Sequence, residues 1–270
     1  MALALTYLFV PGDRPDRFDK AAAAGADAVI LDLEDAVAPE AKERARDAIG
    51  EWLTRHAEQL SRIVVRINDI HSPWWTDDLA LLSRTGVMLA MLPKAESAAQ
   101  VDTVIAALPA GATVIPLIET ARGTQDVEHV AAATGVLRLA FGTLDYAVDL
   151  DIAGDERALL YPASRIVIAS RCAGIASPVA GVTPTIDDEE QLRSDLAFER
   201  ALGFGAKLVI HPRQVAVVRD ALLPSAAELA WARKVLAAAD GAQGAVQVDG
   251  RMIDRPVIRK AQAILARAPR

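Results

Sequence analysis

The sequence predicts a (β/α)8 TIM barrel followed by a C-terminal helical extension that carries a lid. Short apolar runs alternate with longer amphipathic, alanine-rich stretches about eight times within 270 residues, the pattern of parallel strands joined by helices. The runs have no helical period and are rich in branched side chains, as strands buried on both faces are. Nearly every run ends in a polar cluster, and in this fold the active site is built from loops at the C-terminal ends of the strands.

The first run, residues 7–10, passes into Pro11-Gly12-Asp13-Arg14. The second is the most informative: Val29-Ile30-Leu31-Asp32-Leu33-Glu34-Asp35 closes in three carboxylates. Acids at the edge of a buried layer call for a cation or a donor. The third, residues 63–65, meets Arg66-Ile67-Asn68-Asp69, and the fourth, 87–92, meets Pro93-Lys94-Ala95-Glu96. The fifth, 114–118, leads into Glu119-Thr120-Ala121-Arg122-Gly123, and the sixth, 137–141, into Gly142-Thr143-Leu144-Asp145. Residues 174–177 are the candidate for the seventh. The eighth, 207–210, ends at His211-Pro212.

Helices are expected at 15–24, 39–57, 74–84, 97–108, 122–133, 155–173, 187–202 and 212–222. Pro15, Pro39 and Ser97 are good starters, and Asp187 and Asp188 place acids in a first turn. These units make a catalytic barrel of residues 1–223. Residues 224–270 form the extension and lid: a helix at 225–239, a glycine-punctuated segment at 241–250, Arg251-Met252-Ile253-Asp254-Arg255-Pro256, and a last helix.

Composition excludes several classes. The chain is 52% hydrophobic and 24% charged, which gives ample material for a core. A formal charge of −7 speaks against nucleic acid, whose phosphates need a clustered basic surface. No apolar stretch approaches the ~20 residues of a membrane span, and the N-terminus has no basic region followed by a long apolar segment. The lone cysteine, Cys172, forms no internal disulfide and points to a reducing cytoplasm; a buried structural thiol is expected there. Gly203-Phe204-Gly205 lacks a third glycine and precedes a strand, so it is no dinucleotide fingerprint.

The residues read physically as follows. Glu119 and Asp145, at the ends of successive strands, should converge over the barrel mouth; two carboxylates with spare coordination positions suit Mg2+, and salt-bridged or capping acids would also fit the spacing. Arg66 leaves an otherwise apolar strand and must face an anion, with Glu34 or Asp35 at hand. His211 offers a general base or only the shape of a turn. Asp254 sits where an aspartate caps a helix.

Six segments appear in order: Val10-Pro11-Gly12-Asp13-Arg14-Pro15, Leu31-Asp32-Leu33-Glu34-Asp35-Ala36-Val37, Val65-Arg66-Ile67-Asn68, Leu92-Pro93-Lys94-Ala95-Glu96-Ser97, Leu117-Ile118-Glu119-Thr120-Ala121-Arg122-Gly123 and Ile210-His211-Pro212. With them the chain resembles, over nearly its whole length, the HpcH/HpaI aldolase and citrate lyase superfamily, and within it the citrate lyase beta-subunit-like proteins. The resemblance implies a Mg2+-dependent carbon–carbon lyase of the oxo-acid-lyase type, assembled as a homotrimer or homohexamer. It puts the metal on Glu119 and Asp145 and Arg66 beside the substrate carbonyl, with Glu34 and Asp35 orienting Arg66 or metal-bound water. It implies Arg14 and Lys94 for the phosphates or carboxylates of a coenzyme A thioester. It makes Asp254 the acid/base, on a lid closing over a neighbouring subunit's site.

The implied reaction splits a 2-hydroxy acid unit carried as a CoA thioester, such as citramalyl-CoA or malyl-CoA, into acetyl-CoA and a 2-oxo acid. An acyl-carrier-protein-dependent citrate lyase subunit and a non-catalytic acyl-CoA binding protein are the alternatives. Two departures from the family pattern bear on substrate choice: Leu144 stands where relatives usually have an acid before the metal aspartate, and Tyr161-Pro162-Ala163-Ser164-Arg165 replaces Tyr-Ala-Arg-Ser-Arg.

Overall fold

The computed structural model describes residues 3–153, 156–240, 246–248 and 251–268. Eight parallel strands close into a barrel in sequence order. They are β1 (Thr6–Pro11), β2 (Ala28–Asp32), β3 (Ile63–Arg66), β4 (Leu89–Leu92), β5 (Thr113–Ile118), β6 (Ala140–Phe141), β7 (Val179–Ala180) and β8 (Ala206–Val209). Parallel neighbours need a crossover, and helices supply each one. Those helices are α1 (Phe18–Ala22), α2 (Lys42–Arg55), α3 (Trp75–Thr85), α4 (Ala98–Ala107), α5 (Ala121–Gln125), α6 (Val127–Ala132), α7 (Thr143–Asp149), α8 (Leu160–Cys172) and α9 (Glu189–Leu202); α10 (Pro212–Leu222) follows β8.

The barrel interior follows from the strand period of two. Tyr7, Ile30, Val64, Ile115, Leu117, Ala140, Val179 and Leu208 fill it. Two positions further along the same strands, on the same face, come Phe9, Asp32, Arg66, Glu119, Gly142 and Ile210. The apolar layer therefore gives way at the mouth to one that holds Asp32, Arg66 and Glu119, without any change of alternation.

Several elements differ from expectation. The seventh strand is Val179–Ala180, not residues 174–177, which lie between α8 and β7. The stretch expected as one helix over 122–133 breaks at Asp126 into α5 and α6. Pro15 and Pro39 each open a turn of 3-10 helix before the α-helix proper. A short helix, α7, follows β6 where none was expected. Cys172 is exposed at the last position of α8, so the buried-thiol reading is wrong.

The chain divides into two compact units, Met1–Val218 and Arg219–Arg270, and the division falls within α10. In the second unit α11 (Ala226–Ala239) begins at a capping box formed by Ser225 and Glu228. An antiparallel pair, β9 (Val246–Val248) and β10 (Arg251–Ile253), precedes α12 (Arg255–Ala266). Its own small core gathers Ala232, Val235, Ile253, Ala261 and Ile264. Most of the glycine-punctuated segment at 241–250 lies outside the described residues.

Candidate active site

A cavity of about 320 Å³ opens at the C-terminal mouth of the barrel, lined by Phe9, Asp32, Asp35, Arg66, Glu119, Gly142 and Asp145 among others. It gathers residues from β1, β2, β3, β5 and the β6–α7 junction, the place where this fold assembles catalytic groups.

Arg66 is the fixed cation of the cavity. The β2–β3 register sets Arg66 directly opposite Asp32, and the two side chains form a bidentate fork, Nε to Oδ1 and Nη2 to Oδ2, both 2.7 Å. Such a pair is strong and directional. Nη1 lies 2.8 Å from Glu34 Oε2 as an ion pair, and the Phe9 ring stacks under the guanidinium at 4.8 Å. Burial opposes the Arg66 charge, but Asp32 and then Glu34 more than offset it and hold the group protonated. The sequence points to Glu34 or Asp35 as the partner of Arg66. Asp32 is the principal one, Glu34 the second, and Asp35 is exposed at the cavity edge.

Asp32 also stiffens the following turn. Its Oδ1 accepts from the Glu34 N–H at 2.9 Å and its Oδ2 from the Ala36 N–H at 3.3 Å. That turn presents Glu34, 3% exposed, whose Oε1 accepts a very short bond from Lys94 Nζ. Lys94 is thus engaged by a carboxylate of the site. Its backbone has φ 47°, a left-handed conformation that costs a non-glycine residue about 1–3 kcal/mol. This geometry aims the Lys94 N–H at Glu119 Oε1, 2.8 Å away.

Glu119 follows β5 directly and is 1% exposed. Its other oxygen, Oε2, is buried with no hydrogen-bond partner. An orphaned carboxylate oxygen is expensive, and the pKa records it: burial first, and then the negative charge of Glu34, push Glu119 up to about 8. Gly142 is what lets Glu119 fit. A Cβ there would stand 2.3 Å from Glu119 Oε2 and 2.7 Å from its Cβ. Asp145 was expected at a strand end. It lies instead in the first turn of α7, half-buried, lining the same cavity and raising the Glu119 pKa by its charge.

Five carboxylates, Asp32, Glu34, Asp35, Glu119 and Asp145, face Arg66, Lys94 and the buried Lys42 in this region. Among the described residues no three His, Cys, Asp or Glu side chains form a complete metal cage. Two carboxylates with open positions are the donor set Mg2+ commonly uses when substrate and water complete its shell.

Three other expected residues make local contacts. Arg14 forks onto Asp16, with two bonds of 2.9 Å. His211 Nδ1 accepts the Arg213 N–H at 3.2 Å, which caps the start of α10. Asp254, in the second unit, caps α12 by accepting the Val257 N–H at 3.2 Å.

Residues 5–212 match the HpcH/HpaI aldolase/citrate lyase family, and residues 164–269 match a carbon–carbon bond lyase of the TIM-barrel fold. This chain belongs to the HpcH/HpaI aldolase/citrate lyase family. Membership makes it a carbon–carbon lyase by class. A citrate lyase subunit beta-like protein of Mycobacterium tuberculosis is 40% identical, covering 97% of this chain and 94% of that protein. An L-malyl-CoA/beta-methylmalyl-CoA lyase of Cereibacter sphaeroides is 34% identical over 97% of this chain and 93% of its own. The crystal structure of CitE from M. tuberculosis in complex with magnesium, acetoacetate and coenzyme A superposes with a TM-score of 0.87 at 40% identity, covering 99% and 98% of the two chains.

Proposed function

We propose that this protein is a Mg2+-dependent lyase that cleaves a CoA thioester carrying a 2-hydroxy acid unit, its hydroxyl β to the thioester as in citramalyl-CoA or malyl-CoA, into acetyl-CoA and a 2-oxo acid, or joins them in reverse. The observation that carries the reading is the Glu119 carboxylate, buried with one oxygen unpartnered and facing Asp145 across a cavity that also holds Arg66. Relatives named for malyl-CoA chemistry, and a magnesium- and coenzyme A-bound likeness, support it.

Glu119 and Asp145 would hold the ion, whose chemistry is to polarise the substrate's oxygens as a Lewis acid. The protein's own residues account for the rest. Arg66, locked by Asp32 and Glu34, keeps a positive charge in one orientation before substrate arrives. Preorganised charge of this kind stabilises a developing enolate without having to reorganise. Cleavage moves the electron pair of the broken carbon–carbon bond onto the thioester fragment, giving an enolate of acetyl-CoA. The hydroxyl gives up its proton as it becomes the keto group, and the enolate carbon takes one up. One carboxylate, Asp254 contributed by a neighbouring subunit of a homotrimer or homohexamer, can accept the first and deliver the second. Leu144, 51% exposed at the cavity wall, adds an apolar surface there and bears on which acyl group is taken. The single cysteine accords with a cytoplasmic enzyme, and no helix among the described residues is long and apolar enough to cross a membrane.

The test is turnover of malyl-, citramalyl-, methylmalyl- and citryl-CoA with Mg2+ or with chelator, following acetyl-CoA and 2-oxo acid. Release of both from at least one thioester, lost on chelation, is expected. No turnover of any of them would leave the acyl-CoA binding protein standing.

A further inference from the structure

Beneath the Glu34 turn lies a buried ammonium that the proposed chemistry does not use. Lys42 opens α2 and is 5% exposed. Its Nζ donates three bonds of 2.7 Å, to the carbonyl oxygens of Leu33 and Glu34 and to Asn68 Oδ1. Three protons and three acceptors satisfy the group completely. The Trp74 ring covers it, 5.0 Å from Nζ.

Its partner Asn68 is itself held. The Asn68 N–H and Nδ2 both donate to Asp78 Oδ2, at 2.9 and 2.7 Å, and Asp78 Oδ1 accepts from Arg46 Nε at 2.9 Å. Lys42 and Arg46 stand on α2 and Asp78 on α3. The network therefore runs from the helix ring inward and ends on the two strand exits that carry Glu34 and Arg66. Asn68 lies two residues beyond Arg66, and the carbonyls of Leu33 and Glu34 flank the Glu34 side chain.

Stability alone does not call for this arrangement. An ammonium buried against neutral carbonyls forfeits hydration, and its three hydrogen bonds do little more than return what burial takes. What the charge does supply is direction. It ties the β2 exit to the β3 exit through bonds that fix both.

We infer that Lys42 is a positioning residue: it fastens the chain at Leu33 and Glu34 to Asn68, so that Glu34 meets Arg66 Nη1 and Lys94 Nζ in the one arrangement that points the guanidinium into the cavity. The catalytic consequence rests on the lyase reading; the structural one does not.

The test compares Lys42→Met, which keeps length and removes charge, with Asn68→Ala, which leaves the two carbonyl bonds. Four quantities are measured: cooperativity of urea unfolding, the dissociation constant for Mg2+ alone by calorimetry, kcat and KM on the thioester that wild type cleaves fastest, and the crystal structure of Lys42→Met. Misplacing a catalytic group by about 1 Å costs on the order of 100-fold. Lys42→Met should therefore unfold cooperatively and bind Mg2+ within about threefold of wild type, with kcat down about 100-fold and KM little changed. Asn68→Ala should lose about tenfold in kcat, and it decides alone if Lys42→Met does not fold. An unchanged kcat, or loss of kcat and Mg2+ affinity together in step with the unfolded fraction, overturns the proposal. If wild type cleaves none of the thioesters, the lyase reading fails and the variant's structure decides. Glu34 displaced from Arg66 supports positioning, and Glu34 unmoved refutes it.

Discussion

Glu119 concentrates the chemistry of the site in a single side chain. Folding leaves it protonated up to about pH 8, whereas in the unfolded chain it ionises near 4.5. Between those values the folded state holds a proton that the unfolded state has released. This group's contribution to stability is therefore full below about 4.5 and declines as pH rises toward 8. A cation that binds the carboxylate reverses the balance, because the metal must displace that proton. Apparent Mg2+ affinity, read by calorimetry, should fall by up to about tenfold for each pH unit below 8, and Glu119→Gln should abolish both the affinity and its pH dependence. Arg66 makes a second prediction. Arg66→Lys keeps the charge but loses the fork on Asp32, so kcat should fall by about 10²–10³. Arg66→Ala strands Asp32 and Glu34 and should lower unfolding free energy by about 3–5 kcal/mol. Glu119 and Arg66 were legible in the sequence because each interrupts or ends an apolar run. The Asp32 partnership was not, because it joins residues 34 positions apart and is set by strand register, which no local pattern declares. Lys42 was hidden for the same reason, reading as one more polar residue at a helix start.

At the scale of elements, legibility follows length. β1 to β5 and β8 are runs of four to six residues whose branched side chains announce them. β7 is two residues, Val179–Ala180, preceded by Pro178 and followed by Gly181, and it is recognised only through its neighbours β6 and β8. α7 was missed because seven residues after a glycine carry too few turns for a helical period to show. That miss put Asp145 at a strand end, when a helix first turn presents it. The turn between β6 and α7 makes its own prediction: Gly142→Ala drives a methyl into Glu119, so Mg2+ binding should be lost while circular dichroism keeps the barrel's signature. Caps were readable where their residue types are diagnostic. Ser97, read as a helix starter, caps α4 and forms a capping box with Gln100, and Ser97→Ala should cost about 1 kcal/mol in denaturant unfolding with kcat unaffected.

For the whole molecule, the alternation of eight runs with helices was enough to give the closed parallel barrel, since parallel strands close only through such crossovers. Asp32 and Glu119 reach the mouth by the inward alternation counted from the core, whereas a turn presents Glu34 and a helix presents Asp145. The second unit is a different matter. Asp254 is legible as a cap of α12, and the cap is present; the acid/base role proposed for it belongs to an assembly and has no mark in the single chain. Asp254→Ala should leave Mg2+ affinity intact and lower kcat, the opposite pattern to Glu119→Gln. The central claim is that Glu119 and Asp145 together grip one divalent ion, and a crystal grown with Mn2+ in place of Mg2+ tests it most directly. An anomalous peak bonded to one oxygen of each carboxylate is the predicted result. A map with no peak in the cavity, or with the ion held by other residues while Glu119 Oε2 stays unbound, would contradict it.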